Sequence, residues 1–171
     1  MTKASSGSLA ETLYTDLDNE LHTTRRMLER FPSGNNEWRP HEKSMTLAHL
    51  ASHVAEIPQY GTMVITTDGL DLSKKGFTSN TYETAEKLLE VFDAKVSELR
   101  PALAALDSDA VAASWTLRNG EQVFFSRAKG ELVRHMMLNH LIHHRAQLGV
   151  YYRMLGVPVP GSYGPSADEP M

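Results

Sequence analysis

Four stretches of this chain carry apolar residues at the three- and four-residue spacing of an amphipathic helix, and this pattern restricts the fold more than any other feature. The first stretch begins near Ser8 and ends at Phe31, with leucines on one face at Leu9, Leu13, Leu17, Leu21 and Leu28. The four predicted helices cover about 8–31, 45–65, 81–106 and 130–155. Four long amphipathic helices predict an all-α protein built as a four-helix bundle.

The ends of these helices carry recognisable signals. Ser44 is predicted to cap the second helix, and Asn80 with Glu83 is predicted to form a capping box at the start of the third. The segments "PSGNNEWRP" and "TTDGLDLSKKGFTSN" are predicted loops, and Gly156 ends the last helix. The tail "VPVPGSYGPSADEPM" is predicted to be extended and to pack partly on the bundle.

Residues 107–129 leave two interpretations open. In "SWTLRNGEQVFFS", Asn119-Gly120 stands between two short runs of strand-favouring residues, which is typical of a β-hairpin. The same stretch is equally consistent with an irregular crossover loop. The all-α prediction therefore includes a hairpin or an extra short helix at this point.

The composition describes one ordinary domain, predicted to span residues 1–171. A net charge of −4 argues against a nucleic-acid partner, because phosphate-binding surfaces usually carry excess positive charge.

No apolar run approaches the about 18 residues that cross a bilayer, and the N-terminus lacks a signal-peptide core. We therefore expect a cytoplasmic protein without a membrane partner. The absence of cysteine excludes disulfides and thiolate metal sites.

The last helix contains three histidines within five positions, in "MLNHLIHHRAQLGVYY". At ~100° per residue, His140 and His144 fall on one stripe of this helix. The other members of that predicted core stripe are Val133, Met136, Gln147, Tyr151 and Leu155. His143 lies at the edge of the stripe, and His135 faces away from it.

Two imidazoles on one apolar stripe need partners for their ring nitrogens. Their i, i+4 spacing suits two ligands of a single metal ion, because both rings then lie on one face about one turn apart. The alternative is a pair of core histidines that bond to the backbone or to polar neighbours.

A third ligand is expected from the second helix, whose sequence "MTLAHLASHVAEIPQY" again has two histidines at i, i+4. His53 lies nearer the apolar centre of this helix than His49, so His53 is the better candidate. His49 is expected on the solvent side or behind the ligands. His22 and His41 have no partner at a useful spacing and are expected at the surface.

Three neutral histidines suit Zn²⁺ or Ni²⁺, and three protein ligands with open positions are typical of a catalytic site. Such an ion would activate a water or a thiol. Around it, His143, Gln147 and Tyr60 are candidates for contact with the ligands or for lining a pocket. Tyr151 is a pocket or core residue, and Glu56 is a candidate base or an exposed helix glutamate.

Two segments together resemble the DinB-like (damage-inducible, also called YfiT-like) superfamily. They are "EWRPHEKSMTLAHLASHVAEIPQY" and "LNHLIHHRAQLGVYYRMLGVPVPGSYGPSADE". The shared signatures are W-x-P before the second helix, the late histidine in "LAHLASH", the run "NHxxHHRxQ" and the ending "YxRxLGxPVPxxYGPSxDE". Ala146 departs from the glycine that the family commonly has after the arginine.

The resemblance implies a four-helix bundle with up-down-down-up topology and a divalent metal held by His53, His140 and His144. It also implies a homodimer. Some relatives are thiol-dependent transferases that use a low-molecular-weight thiol, others are hydrolases or isomerases, and many have no known activity.

Three functions follow from these observations. The first is a metal-dependent enzyme, resembling thiol-dependent S-transferases or hydrolases, that acts on a small molecule. The second is a non-catalytic metal-binding stress-response protein. The third is a dimeric interaction module that binds no metal. The sequence favours the first two over the third and leaves the substrate and the thiol open.

Overall fold

The computed structural model describes residues 9–74 and 80–170, with side chains from residue 16 onward, and it is mostly helical. Seven α-helices, one π-helical segment and three strands occur in these ranges. In chain order they are α1 Leu9–Glu29, α2 Leu47–Glu56, α3 Pro58–Thr66, β1 Gly69–Asp71, α4 Ala85–Ala104, α5 Ser108–Ala112, β2 Ser114–Asn119, β3 Gln122–Ala128, α6 Lys129–Leu132, the π-helical segment Val133–Asn139 and α7 His140–Met154. None of the described helices is long and apolar enough to cross a membrane.

The first two predicted helices are present. Leu17, Leu21 and Leu28 of α1 are buried, as their spacing predicts, while the predicted start at Ser8 lies outside the described residues. The second predicted helix is divided into α2 and α3 because Pro58 begins a new helical turn directly after Ile57. Its cap is Thr46, whose side chain accepts a hydrogen bond from the His49 backbone N–H, and not the predicted Ser44.

The predicted capping box at the third helix is wrong. Thr84 caps α4, and its hydroxyl accepts a hydrogen bond from the Lys87 backbone N–H. Asn80 instead donates a hydrogen bond to the Glu56 carboxylate, 3.1 Å away. The Asn80–Glu83 pair predicted the wrong cap because Asn and Thr both favour N-cap positions. Asn80 instead contacts α2 and lies before the helix begins.

The four long helical segments pack around one hydrophobic core. In this core, α1 contacts α4 and α7, and α2 contacts α4 and α7 as well. The largest fully buried core side chains on these segments are Leu28, Leu47, Leu50, Ile57, Leu88, Phe92, Leu99, Met137, Leu141 and Tyr152. Burial of such apolar surface is the main driving force for helix association.

The hairpin interpretation of residues 107–129 is confirmed, and a third strand corrects the purely all-α expectation. Strands β2 and β3 pair antiparallel, and β1 pairs parallel with β2, which gives the order β1-β2-β3. The turn is Gly120-Glu121, one residue later than the predicted Asn-Gly pair, and Gly120 has a φ of +61° that favours glycine. Asp71 fixes this turn by accepting a hydrogen bond from the Gly120 N–H at 2.9 Å.

The sheet packs on the bundle through a small second core. Trp115 of β2, Val64 of α3 and Leu132 of α6 are buried together there. The Trp115 ring N–H donates to the Thr67 hydroxyl at 3.0 Å, which satisfies the polar atom of this buried indole. The sheet therefore lies beside the start of the last helix.

The last predicted helix runs without interruption through α6, the π-helical segment and α7, close to the predicted range of 130–155. The π-helical turns were not predicted, and they lie directly before His140. The buried face of α7 consists of Leu141, Arg145, Leu148, Tyr151 and Tyr152. The predicted core stripe centred on His140 is therefore shifted by about one residue, and His140 and His144 are half-buried at its edge.

The tail after α7 has no helix or strand up to residue 170, as predicted, and it is fastened to the bundle by ion pairs. Glu169 contacts Arg26 of α1 and Arg30 directly after it, and Asp168 lies 2.6 Å from Arg153 of α7. The tail thus bridges the outer surfaces of α1 and α7.

Candidate metal centre

Three histidines from two helices meet beside the core. His53 lies on α2, while His140 and His144 are one turn apart on α7, so the packing of α2 against α7 brings them together. Each can offer a ring nitrogen, and these nitrogen atoms all lie within 4.8 Å of one another. The three ring centroids are 4.6 to 4.9 Å apart. This is the trio that the two i, i+4 pairs predict.

The hydrogen bonds of two of these rings engage Nδ1 and leave Nε2 available. Nδ1 of His140 lies 3.2 Å from the Met136 carbonyl oxygen, and Nδ1 of His144 lies 2.7 Å from Oε1 of Gln147. A carbonyl oxygen can only accept, so in both rings Nδ1 carries the proton and Nε2 keeps its lone pair. This is the arrangement that metal-binding histidines normally have.

The closest approach within the cluster is between Nε2 of His53 and Nε2 of His140, 3.1 Å apart. Two imidazole nitrogens bound to one tetrahedral Zn²⁺ at about 2.05 Å would be about 3.3 Å apart. The observed spacing is therefore compatible with two nitrogens that share one ion.

The environment of the cluster keeps these imidazoles neutral. Burial, together with the neighbouring His144 and His140, lowers the pKa of His53 from 6.5 to about 4. Burial also lowers the pKa values of His140 and His144, although their bonds to Met136 and Gln147 oppose the shift. Neutral imidazole is the form that binds a metal, so the site needs little proton release at pH 7.

Tyr60 stands over the cluster from α3. Its ring stacks on His140 with centroids 5.8 Å apart, and it lies 6.2 Å from the His53 ring. Burial and the nearby Glu56 carboxylate raise the pKa of Tyr60, which keeps the phenol protonated at neutral pH. Tyr60 therefore lies close to the histidines and lines the cavity beside them.

Glu56 is not an exposed helix glutamate. Only 7% of its surface is accessible, and its Oε1 accepts hydrogen bonds from the Tyr82 hydroxyl at 2.9 Å and from the Asn80 amide at 3.1 Å. These two donors come from the segment that precedes α4. They fix the carboxylate one turn beyond His53.

A cavity of about 400 Å³ opens beside the cluster. Its lining residues are Tyr60, His135, Met136, Asn139, His140 and His143. Half of them, His135, Met136 and Asn139, belong to the π-helical segment, whose wider turns are frequent at functional sites. The sequence analysis missed His135, which it predicted to face away, and Asn139. Its angle of ~100° per residue holds for an α-helix and not for the wider π-helical turns.

The other predicted site residues fall into two groups. Gln147 contacts His144 as described, and the exposed His143 ring lies 4.7 Å from the His144 ring. Tyr151 is a core residue whose hydroxyl donates to the Met45 carbonyl oxygen, and it does not line the cavity. His49 is half-buried on α2 outside the trio.

His22 and His41 are exposed, as predicted. Arg145 is buried on the face of α7 opposite to His143, where it bonds to Glu20 and Thr24 of α1.

Comparison with known proteins identifies the family of this chain. The family model described as the DinB family matches residues 1–170. The protein belongs to the DinB family. No curated protein matches the sequence.

Solved structures show the same DinB-like fold. A DinB-like protein from Bacillus cereus ATCC 10987 is similar with a TM-score of 0.65 at 18% identity, over 90% of this chain and 97% of that one. A DinB-like protein from Bacillus subtilis is similar with a TM-score of 0.64 at 17% identity, over 92% of this chain and 97% of that one. The DinB family membership and the three-histidine cluster thus rest on independent observations.

Proposed function

We propose that this DinB-family protein binds one divalent metal ion through His53, His140 and His144 and uses it as an enzyme on a small molecule. The observation that carries the proposal is the convergence of three neutral imidazoles from two helices within 4.8 Å. Two of the three rings place Nδ1 against a protein oxygen, which leaves Nε2 as the nitrogen with a lone pair for an ion.

The donor set favours Zn²⁺ or Ni²⁺, since imidazole nitrogen suits both ions and the chain has no thiolate to offer. An ion held by three ligands would supply Lewis-acid chemistry and lower the pKa of a water or thiol bound to it. Two reaction classes use that chemistry: transfer of a thiol to a small electrophile, and hydrolysis. In either case His140 lies at the boundary between the cluster and the cavity, so a ligand in the cavity is placed beside the ion.

The first test is the metal content of tag-free protein by elemental analysis. We expect about one Zn or Ni per chain in the wild type and a loss of at least tenfold in both His53→Ala and His144→Ala. The exposed His22→Ala is the matched control and should keep its metal. Circular dichroism confirms that each variant is folded. A wild type that neither contains nor takes up a divalent ion would overturn the proposal.

A second test separates an enzyme from a non-catalytic metal protein. The metal-loaded wild type and His53→Ala would be compared in a screen that pairs low-molecular-weight thiols with small electrophiles, and in a screen of esters and amides. Turnover that requires both the metal and His53 supports the enzyme. Stoichiometric metal without turnover would favour the stress-response alternative, in which the ion only fixes the bundle.

Three further expectations belong to this proposal. We propose that the four long helical segments follow the up-down-down-up order, that the protein is a homodimer and that it is cytoplasmic. Analytical ultracentrifugation of the metal-loaded protein tests the second point, and a monomer at all concentrations would contradict it.

A further inference from the structure

Glu56 is a buried acid without a protein counter-ion. Only 7% of its surface is accessible, and a glutamate is rarely buried unless a cation pairs with it. The other buried acid in the described ranges, Glu20, pairs with Arg145. Within the same ranges Glu56 makes no ion pair with a lysine, an arginine or a histidine. The desolvation of this carboxylate therefore costs free energy that no cation of the described chain offsets.

The contacts of Glu56 hold its carboxylate in place without cancelling its charge. Its Oε1 accepts hydrogen bonds from the Tyr82 hydroxyl at 2.9 Å and from the Asn80 amide at 3.1 Å. Both partners are neutral, so they supply hydrogen bonds and no positive charge. The Tyr82 backbone N–H also donates to the Ser52 hydroxyl at 2.7 Å, which lies directly before His53 in the chain. The segment before α4 is thus tied to α2 on both sides of His53.

The position of Glu56 relates it to the three-histidine cluster. It follows His53 by three residues on α2, and residues at this spacing are neighbours on a helix surface, with Cβ atoms about 5–6 Å apart. The group of possible ligand atoms that lie within 4.8 Å of one another contains the three histidines and no carboxylate. Glu56 is therefore near the cluster but is not one of its ligands in this arrangement.

The donor set of the cluster shows what such a charge can do. Histidine binds a metal as neutral imidazole, so three histidines hold a divalent ion without cancelling any of its charge. A carboxylate one helical turn away attracts this ion, and the attraction is screened less than at the surface because both groups are at least partly buried. An ion at the cluster would therefore give Glu56 the cation that the described chain does not supply.

We propose that Glu56 is the counter-charge of the metal site: it raises the affinity of the three histidines for a divalent ion through its charge, without binding the ion. This inference rests on the proposed function, because it requires an ion at the cluster. Loss of this one charge should have two separate effects. The affinity for the ion decreases, whereas the metal-free protein is freed of an unpaired buried charge and keeps its stability.

The test compares the wild type with Glu56→Gln, whose side-chain oxygen can still accept from Tyr82 and Asn80. Competition with a chromogenic chelator measures Zn²⁺ affinity, and urea unfolding with excess chelator measures the stability of the metal-free protein. We expect Glu56→Gln to bind Zn²⁺ about tenfold more weakly, with a urea midpoint equal to or above that of the wild type. Glu121→Gln is the control, because it removes an exposed negative charge from the hairpin turn and should change neither value.

A second variant separates the charge of Glu56 from its hydrogen bonds. Tyr82→Phe removes one donor to the carboxylate and keeps the charge. It should lower the urea midpoint of the metal-free protein and leave Zn²⁺ affinity within about threefold of the wild type. Zn²⁺ binding that is weakened as much by Tyr82→Phe as by Glu56→Gln would overturn the inference, since the hydrogen bonds would then be the cause.

The inference is also overturned if Glu56→Gln binds Zn²⁺ within about threefold of the wild type. It is overturned as well if weaker binding by Glu56→Gln comes with a lower urea midpoint of the metal-free protein, because that result indicates a structural role. Failure of the proposed function is visible separately, as a wild type that takes up no metal, and the inference would fail with it.

Discussion

The guanidinium of Arg145 lies in the core of the bundle, 2.6 Å from the carboxylate of Glu20. Only 2% of Arg145 and 8% of Glu20 are accessible, so the pair is removed from water. Arg145 also donates to the Thr24 hydroxyl at 3.2 Å and to the Tyr163 hydroxyl at 3.0 Å. This one side chain therefore joins α7, α1 and the tail, and it lies next to His144 in sequence.

Removal of one member of this pair should be strongly destabilising. We expect Arg145→Met to lower the free energy of unfolding by about 3–5 kcal/mol, because Glu20 would remain as a buried charge without its partner. Replacement of both, as Glu20→Leu with Arg145→Met, should recover most of the loss. Urea unfolding of the three proteins measures this. A double variant as unstable as Arg145→Met alone would show that the ion pair is not the cause.

The bond from His144 to Gln147 should tune the affinity of the proposed metal site. Gln147→Leu keeps the approximate shape of the side chain and removes the oxygen that accepts from Nδ1 of His144. We expect a loss of about 10- to 100-fold in Zn²⁺ affinity, as for other residues that orient metal-binding histidines. Gln147→Glu retains an acceptor and serves as the control that restores binding. Competition with a chromogenic chelator measures the affinities, and an unchanged value in Gln147→Leu would contradict the role.

The stability of the metal-free protein should depend on pH through the histidine cluster. The pKa of His53 is about 4 in the folded state and 6.5 when unperturbed, so the unfolded chain takes up a proton first as pH falls. Its contribution is fully present above pH 6.5 and is lost as pH falls from 6.5 to about 4. His140 and His144 act in the same sense.

Denaturant unfolding between pH 7.5 and 4.5, in the presence of a chelator, measures this dependence. His53→Gln should show a smaller decrease over the same interval than the wild type. The carboxylates whose pKa values are lowered, Asp71, Asp168 and Glu169, are the same in both proteins, so their contributions cancel in the comparison. Parallel pH curves for both proteins would disprove the assignment.

Gly61 of α3 is predicted to be intolerant of a side chain. A Cβ atom at this position would lie 2.8 Å from Cδ1 of Leu99 and 3.2 Å from Cγ of Met137, both in the core. We expect Gly61→Ala to destabilise the protein by about 1–3 kcal/mol through overpacking, despite the better helix propensity of alanine. Gly164→Ala is the control, since a Cβ there has nothing within 4 Å. Thermal unfolding compares them, and equal melting temperatures would reject the overpacking explanation.

Sequence reasoning worked where the signal is local. The spacing of Leu17, Leu21 and Leu28 reports which side of α1 faces the core, because each turn of a helix returns the chain to the same side. The two i, i+4 histidine pairs are local in the same way. Together with the apolar face of the second helix, which favours His53 over His49, they selected His53, His140 and His144 as a group. The Asn119-Gly120 signal likewise located the hairpin to within one residue.

Sequence reasoning failed where a structural element depends on a contact with residues far along the chain. Strand β1 has only three residues, too few to show alternation, and it exists because Gly69 pairs with Thr116 of β2. The rotation of α7 was also misjudged. The repeat Leu141, Leu148, Tyr152 marks its buried face, but Arg145 lies within that repeat and resembles a surface residue until its partner on α1 is known.

The sequence by itself thus determined the long helices, located the turn that a hairpin would have and selected the three histidines, because periodicity and turn chemistry depend on neighbours within a few residues. Only the tertiary structure decided how these parts meet. Arg145 is buried against Glu20, and the rotation of α7 about its axis that buries it leaves His140 and His144 at the edge of the core. The π-helical turns then place Asn139 and Met136 in the wall of the cavity. The rotation of α7 and the position of the cavity wall both depend on packing between segments far apart in the chain, which no local pattern records.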